Sequence, residues 1–399
     1  MNDLSAKAKQ TANQRLFLVF AIIFIAFNLR PAITSVGPLV SSIRTDLGMS
    51  NGMAGMLTTL PLLAFAALSP FAPVIGQKLG NELAILLGIG LLASGIIIRS
   101  SGGVGLLFAG TALIGIGIAI ANVLLPGIVK LKFPDKASFM TGVYTTSLGI
   151  FAALASGMSV PLSENLGWGW KKALLAWALL AGIAFFVWLP QIRKQNEDKG
   201  KIRIIQSNGN IFRSKLAWQV TLFMGLQSFL FYSLITWIPE ISYSNGLDRT
   251  MSGFMLSILQ FAGLPASFIA PVIAGKLKNQ KSIVLVIGII YLIAFSGLLA
   301  GGGHAIMTVW IIFLGIAQGA GFSLALTFFV LRAKDVMDAA RLSGMAQSLG
   351  YLMSAFGPIL VGYEYDHTQA WTWPIITLMA VACVLILAGI GAGKNRFVL

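Results

Sequence analysis

Arg30 stands in the middle of a segment that is otherwise apolar from Leu16 to about Val40. On an insertion scale an arginine at that depth costs roughly 2.5–3.5 kcal/mol, so a chain keeps one there chiefly where it meets a watery cavity or a partner. The planar guanidinium fork can hold an anionic group by two parallel hydrogen bonds. Around it, residues 28–38 read NLRPAITSVGP. Pro31 and Pro38 each remove an amide donor and crowd the carbonyl four residues earlier, on Phe27 and Thr34. A straight helix is not expected here. In a bilayer, freed carbonyls need neighbouring helices, polar side chains or cavity water, and Asn28, Thr34 and Ser35 are in reach to help. The expectation is a broken, positively charged half-turn that lines a central pathway for an anionic or strongly polar solute. The competing expectation is that Arg30 only bonds carbonyls of a packed neighbouring helix.

Polar residues elsewhere in the apolar segments are few, and helical spacing decides which share a face. Arg30 and Thr34 face one way, and Asn28 and Ser35 another. Asn122, Pro126 and Lys130 form an i, i+4, i+8 line, in which Lys130 reads as a topology signal before a site. Tyr144 heads a run of Thr145, Thr146 and Ser147, while Gln227 precedes the line Ser228, Tyr232 and Thr236, with Trp237 beside it. Gln260, Gln318 and Gln347, the last with Tyr351, complete the expected substrate-binding set. Any of these glutamines could instead be interhelical glue worth about 0.6 kcal/mol, and Trp237 an interfacial anchor. Enzyme chemistry is excluded on the same residues. His304 and His367 fall in external loops, no His/Cys/Asp/Glu cluster has metal-ligand spacing, and no serine has a neighbouring base. No cofactor is expected. No Asp or Glu lies within a span, so a coupling proton would have to use Glu240, Asp46 or the solute itself.

The elements that must position these residues are membrane spans. The chain is 57% hydrophobic and 10% charged, with mean hydropathy +0.85, far from the roughly 25% charged residues of soluble domains. Twelve runs are long enough to cross a bilayer, near 16–41, 52–75, 83–99, 104–130, 137–161, 172–190, 216–239, 250–275, 282–302, 305–331, 340–362 and 370–391. Barrel strands would be about ten residues of alternating pattern, which these are not. The net charge of +15 is a topology signal and not a nucleic-acid footprint: of 28 Lys and Arg, 22 fall at the termini and in alternate loops, which places both termini in the cytoplasm. Contact with lipid headgroups is expected from the same charges. A lone Cys383 excludes a disulfide framework.

Residues 191–214 are polar and basic and separate two apolar halves, so residues 1–190 and 215–399 are expected to form two six-helix bundles joined by a cytoplasmic linker. The halves repeat: APVIGQKLGNELAILLGIG at 72–90 lies over APVIAGKLKNQKSIVLVIG at 270–288, with eleven of nineteen positions identical. Parallel repeats of six spans with solute held between them are how transporters of the major facilitator type are built. The fold class expected is therefore an all-α membrane protein of twelve transmembrane helices. Glycines such as Gly315 and Gly319, a GxxxG pair, read as close helix packing.

The strings NLRPAITSVGPL at 28–39, LTTLPLLAFAALSP at 57–70, LPGIVKLKF at 125–133 and LQSFLFYSLITWIP at 226–239 resemble the cyanate and 2-nitroimidazole porter family of the major facilitator superfamily. The resemblance implies a twelve-helix carrier of the bacterial inner membrane that works by alternating access, with members assigned to cyanate uptake or nitroimidazole export. It carries over onto Asn28, Arg30 and Pro31, onto Asn122 and Lys130, and onto Gln227, Tyr232 and Trp237. Two departures stand out. The loop at 76–81 reads GQKLGN and lacks the Asp-centred latch common in the superfamily, and the Gly-Pro pair of many antiporters is absent from span 5. The expectation is a monomeric carrier for a small anionic or polar, nitrogen-containing solute. The alternatives are an efflux carrier for nitroimidazole-like or other drug-like compounds and a non-transporting scaffold or sensor.

Overall fold

The structure is a computed structural model that describes residues 16–49, 51–198, 210–247 and 249–398. Its first span is broken where the prolines require it. Helix α1 covers 16–26, residues 27–30 form a turn, and α2 (Pro31–Thr34) restarts with proline at the first helical position, where its missing amide is not needed. After a second turn and a 3-10 turn at Gly37–Leu39, the chain continues as α3 (Val40–Leu47). The carbonyls freed by these breaks are met by other helices. Thr34 O accepts from the Ser156 hydroxyl at 3.2 Å, Ser35 O from Ser159 at 2.9 Å, and Ala32 O from Arg99 Nη1 at 2.5 Å.

The rest of the first half is α4 (Asn51–Leu68), α5 (Ala72–Leu79), α6 (Asn81–Ser101), α7 (Val104–Lys132), α8 (Ala137–Val160), α9 (Gly169–Leu175) and α10 (Trp177–Asp198). The second half comprises α11 (Lys215–Ser244), α12 (Arg249–Lys276), α13 (Lys281–Ala300), α14 (His304–Leu331), α15 (Val336–Thr368) and α16 (Thr372–Ala392). Each of the twelve expected runs is largely helical, the first and second with the breaks described here. Among the described residues ten helices are long and apolar enough to cross a membrane, and the pair α4 and α5, bent by 58°, makes an eleventh. The bend falls at Ser69-Pro70-Phe71, because proline disfavours the helical conformation of the residue before it. The remaining run is α15, 33 residues long, whose first turns and last turns carry charged residues. The sixth span continues as helix to Asp198, so the polar segment begins inside α10.

Glycine governs how closely the helices approach, since packing in lipid favours small residues at contacts. A Cβ on Gly263 of α12 would lie 2.7 Å from the Gly315 carbonyl of α14, and one on Gly225 of α11 would lie 3.0 Å from Gly350 of α15. Across the halves, α8 packs on α12 and α15 packs on α4 and α7. Thr145 Oγ1 donates to Ser267 O at 3.1 Å, Gln347 Nε2 to Asn122 O at 3.1 Å, and Ser348 Oγ to Ala66 O at 2.5 Å. The first of these bonds borders the cavity described below, and the other two join α15 to α7 and α4.

Candidate functional site

The turn at 27–30 holds Arg30 clear of the helices on either side of it. Its guanidinium lies between two phenyl rings of the second half, 4.7 Å from the centroid of Phe231 on α11 and 4.6 Å from that of Phe322 on α14. Among the described residues it makes no hydrogen bond and no ion pair. An aromatic face answers the charge of a guanidinium through its quadrupole. It does nothing for the N–H donors at the edges of the group, which remain available.

Those edges border a cavity of about 70 Å³ between the halves, lined by Arg30, Phe231, Gln260, Gln318, Phe322 and the hydroxyl-bearing pair Thr145 and Ser267. One water needs about 10–15 Å³ on this scale, so the space suits a solute of a few heavy atoms. Glycines 149, 263, 315 and 319 form part of the wall, bringing backbone rather than side chain to its edge. The buried Nε2 of Gln318 has no hydrogen-bond partner, and neither has the Tyr144 hydroxyl. Tyr232 and Tyr351 lie within reach of the Arg30 charge, with their rings 6.5 Å apart, and Tyr144 lies beside Tyr351. A fixed cation, unpartnered amide and phenol donors, and apolar walls can bind an anion or a strongly polar solute. They offer no nucleophile with a base, and no metal-holding group of acidic, His or Cys side chains occurs among the described residues.

The structure thus brings Arg30, Gln260 and Gln318 into one cavity, with Tyr232 and Tyr351 near Arg30 and Tyr144 beside Tyr351. The other expected residues serve the framework. Asn28 is buried and donates to Phe24 O at 2.8 Å and to Leu180 O of α10 at 3.3 Å. Thr34 donates to Arg30 O and to Ala152 O. Gln227 is buried beside Gln318, whose carbonyl it reaches at 3.5 Å, and it accepts from Ser228. Gln347 bonds the Asn122 carbonyl and the Ser343 hydroxyl, which ties Asn122 to the same inter-half contact. Trp237 donates to Pro358 O at 2.9 Å and leans on Trp371, at the end of the bundle away from the linker.

Three residues were not legible as site residues. Phe231 and Phe322 are two of 26 phenylalanines in apolar helices, and nothing local marks them. Arg99 closes the run at 83–99, where charge accounting assigns it to an external loop. It is 1% exposed and reaches across to the Ala32 carbonyl, two residues beyond Arg30. Arg99 is therefore a second cation inside the bundle, fully enclosed because the broken first span leaves it an acceptor.

A bundle of apolar helices in two halves with a cation-bearing cavity between them defines a solute carrier. The sequence model of the Major Facilitator Superfamily matches residues 16–358, and the chain belongs to that family. It is 54% identical over 385 residues to the uncharacterized transporter YycB of Bacillus subtilis (strain 168), covering 96% of this chain and 95% of the relative. It is 38% identical over 394 residues to the 2-nitroimidazole transporter of Escherichia coli (strain K12), covering 98% and 99%. Among solved structures, the proton:xylose symporter XylE bound to 6-bromo-6-deoxy-D-glucose superposes with a TM-score of 0.79 at 11% identity, over 97% of this chain and 98% of that one. The protein is a multi-pass membrane transporter of a small-molecule solute, with the fold on which alternating access operates.

Proposed function

We propose that this protein moves a small anionic or polar, nitrogen-containing solute across the bacterial inner membrane, with Arg30 as the counter-charge. The observation that carries the reading is a half-buried guanidinium whose charge meets aromatic faces and which borders the cavity. The lining amides of Gln260 and Gln318 and the phenols of Tyr232 and Tyr351 supply further hydrogen bonds. Residues 1–190 and 215–399 act as the two moving bundles, and the monomer suffices because the cavity is complete within one chain. Charge distribution puts the linker end and both termini in the cytoplasm. Cysteines at Lys278 and Gly302 in a Cys383→Ala background test that orientation: position 302 should label from outside and 278 only after permeabilisation.

Reconstitution tests the function. Counterflow of labelled cyanate in liposomes, lost in Arg30→Gln, is the expected result; no counterflow of cyanate, nitrate or 2-nitroimidazole by the wild type would remove the reading. A thermal-shift comparison of the same three compounds distinguishes an anion carrier from the second reading, nitroimidazole efflux, which the 38% identical relative favours. A ligand that binds the folded state raises apparent stability as ln(1 + [L]/Kd). For a coupling proton, the group with the best claim is Asp338, fully buried at the start of α15 with neither carboxylate oxygen hydrogen-bonded. Asp338→Asn should then abolish uptake driven by an imposed pH gradient and spare counterflow.

A further inference from the structure

The cation and the rings that face it come from opposite halves of the chain. Arg30 is tied to the first half, because the segment that follows it is held by Ser156, Ser159 and Arg99 at the carbonyls of Thr34, Ser35 and Ala32. Phe231 and Phe322 belong to α11 and α14, whose backbones are locked to α15 and α12 by glycine contacts. The contact between guanidinium and rings therefore crosses the midline of the molecule.

A carrier with a lone cation in its cavity meets a difficulty once in every cycle. To reorient without solute it must enclose a bare charge, and taking an unpaired charge out of water is strongly unfavourable. Carriers limited in this way reorient only when loaded, and so exchange one solute for another. Here the protein offers Arg30 no carboxylate and no carbonyl among the described residues, but it does offer two aromatic faces, one on each ring. Aromatic faces attract a guanidinium more strongly when water is excluded, which is the condition that closure creates. They also leave the edge donors free, so an arriving anion does not have to displace them.

On the anion reading given above, we infer that Phe231 and Phe322 stand in for the solute as partners of Arg30, so that the unloaded carrier can close and reorient and the protein performs net transport as well as exchange. The rings then set the mode of transport, while the N–H edges of Arg30 set what is bound.

The test compares two modes in proteoliposomes that hold equal potassium on both sides with valinomycin, so that no potential builds up. Net entry of labelled cyanate into vesicles without internal cyanate requires the unloaded carrier to return; counterflow against internal unlabelled cyanate does not. The double variant Phe231→Leu/Phe322→Leu keeps apolar bulk and removes the π faces. It should lower the ratio of net entry to counterflow by about tenfold, the factor expected when desolvated cation–π contacts are removed. Phe231→Tyr/Phe322→Tyr keeps the faces and should restore net entry. Equal loss of both modes in the leucine variant, or unchanged net entry, overturns the inference, since the rings would then be wall and nothing more. Wild-type counterflow without net entry overturns it as well and leaves the anion reading standing, whereas absence of both in the wild type is the failure of that reading itself.

Discussion

Arg30 and Arg332 are the same chemical group held within the same bundle, and the protein treats them in opposite ways. At the linker end of α14, Arg332 is 2% exposed; its Nε donates to Ala392 O at 2.8 Å, and its Nη2 bonds Gln280 Oε1 and Gly393 O. Gln280 in turn donates to the carbonyls of Ala274 and Leu277. Arg332 thus ties together the ends of α12, α13, α14 and α16. At the centre, Arg30 has rings for its charge and no acceptor for its donors. A guanidinium whose donors are satisfied by the protein is a clamp, and one whose donors are left over is a site. Arg99 lies between the two: Nη1 holds Ala32, while Nε and Nη2 have no partner.

The first way to break this contrast is Arg30→Gln. Losing two charge-assisted hydrogen bonds, each worth about 1.5–3 kcal/mol, should cut transport by two orders of magnitude or more with the ligand-free melting temperature unchanged. Arg30→Lys keeps the charge without the planar fork, so KM should rise by about tenfold with some transport left. A clear fall in ligand-free melting for Arg30→Gln would place Arg30 with the clamps.

Arg332→Gln should behave in the reverse sense. It leaves buried acceptors on Gln280 and Ala392 without their donor, at about 1–3 kcal/mol for each unsatisfied group, so melting temperature should drop by several degrees. Affinity of the surviving folded protein, read as a ligand-induced thermal shift, should not change.

Arg99→Gln sharpens the comparison from its middle. The Ala32 carbonyl loses its donor and the segment after Arg30 loosens, so KM should rise several-fold while maximal rate falls less; Arg99→Lys, still able to reach the carbonyl, should recover most of the affinity. A melting loss with unchanged KM would make Arg99 a clamp like Arg332.

The smallest effect is expected where the two halves meet beside the cavity. Thr145→Val removes one hydroxyl bond to Ser267 O, worth about 1 kcal/mol, and should shift the balance between states toward opening at the linker end by about fivefold. Cysteine labelling at position 344, where Gly344 faces the Ser69 carbonyl, measures that shift.

The run lengths, the repeat at 72–90 and 270–288, and the charge of alternate loops made the bundle architecture readable from the chain alone, because a bilayer leaves a span no backbone partner outside its own helix. Pro31 and Pro38 likewise foretold the broken first span, since a proline acts on carbonyls only four residues away. Arg30 was legible as a site residue on cost alone. Its partners were not: Phe231 and Phe322 lie some two and three hundred residues further on, and a phenyl ring becomes a cation's partner only through the direction in which packing turns its face. The same holds in reverse for Asn28, Thr34, Gln347 and Trp237, whose polarity marked them as candidates although each bonds a main-chain carbonyl. Residue type states how many donors a side chain has. Only the packed helices decide whether an acceptor of the protein lies within 3 Å of them, and for Arg30 the packing left none.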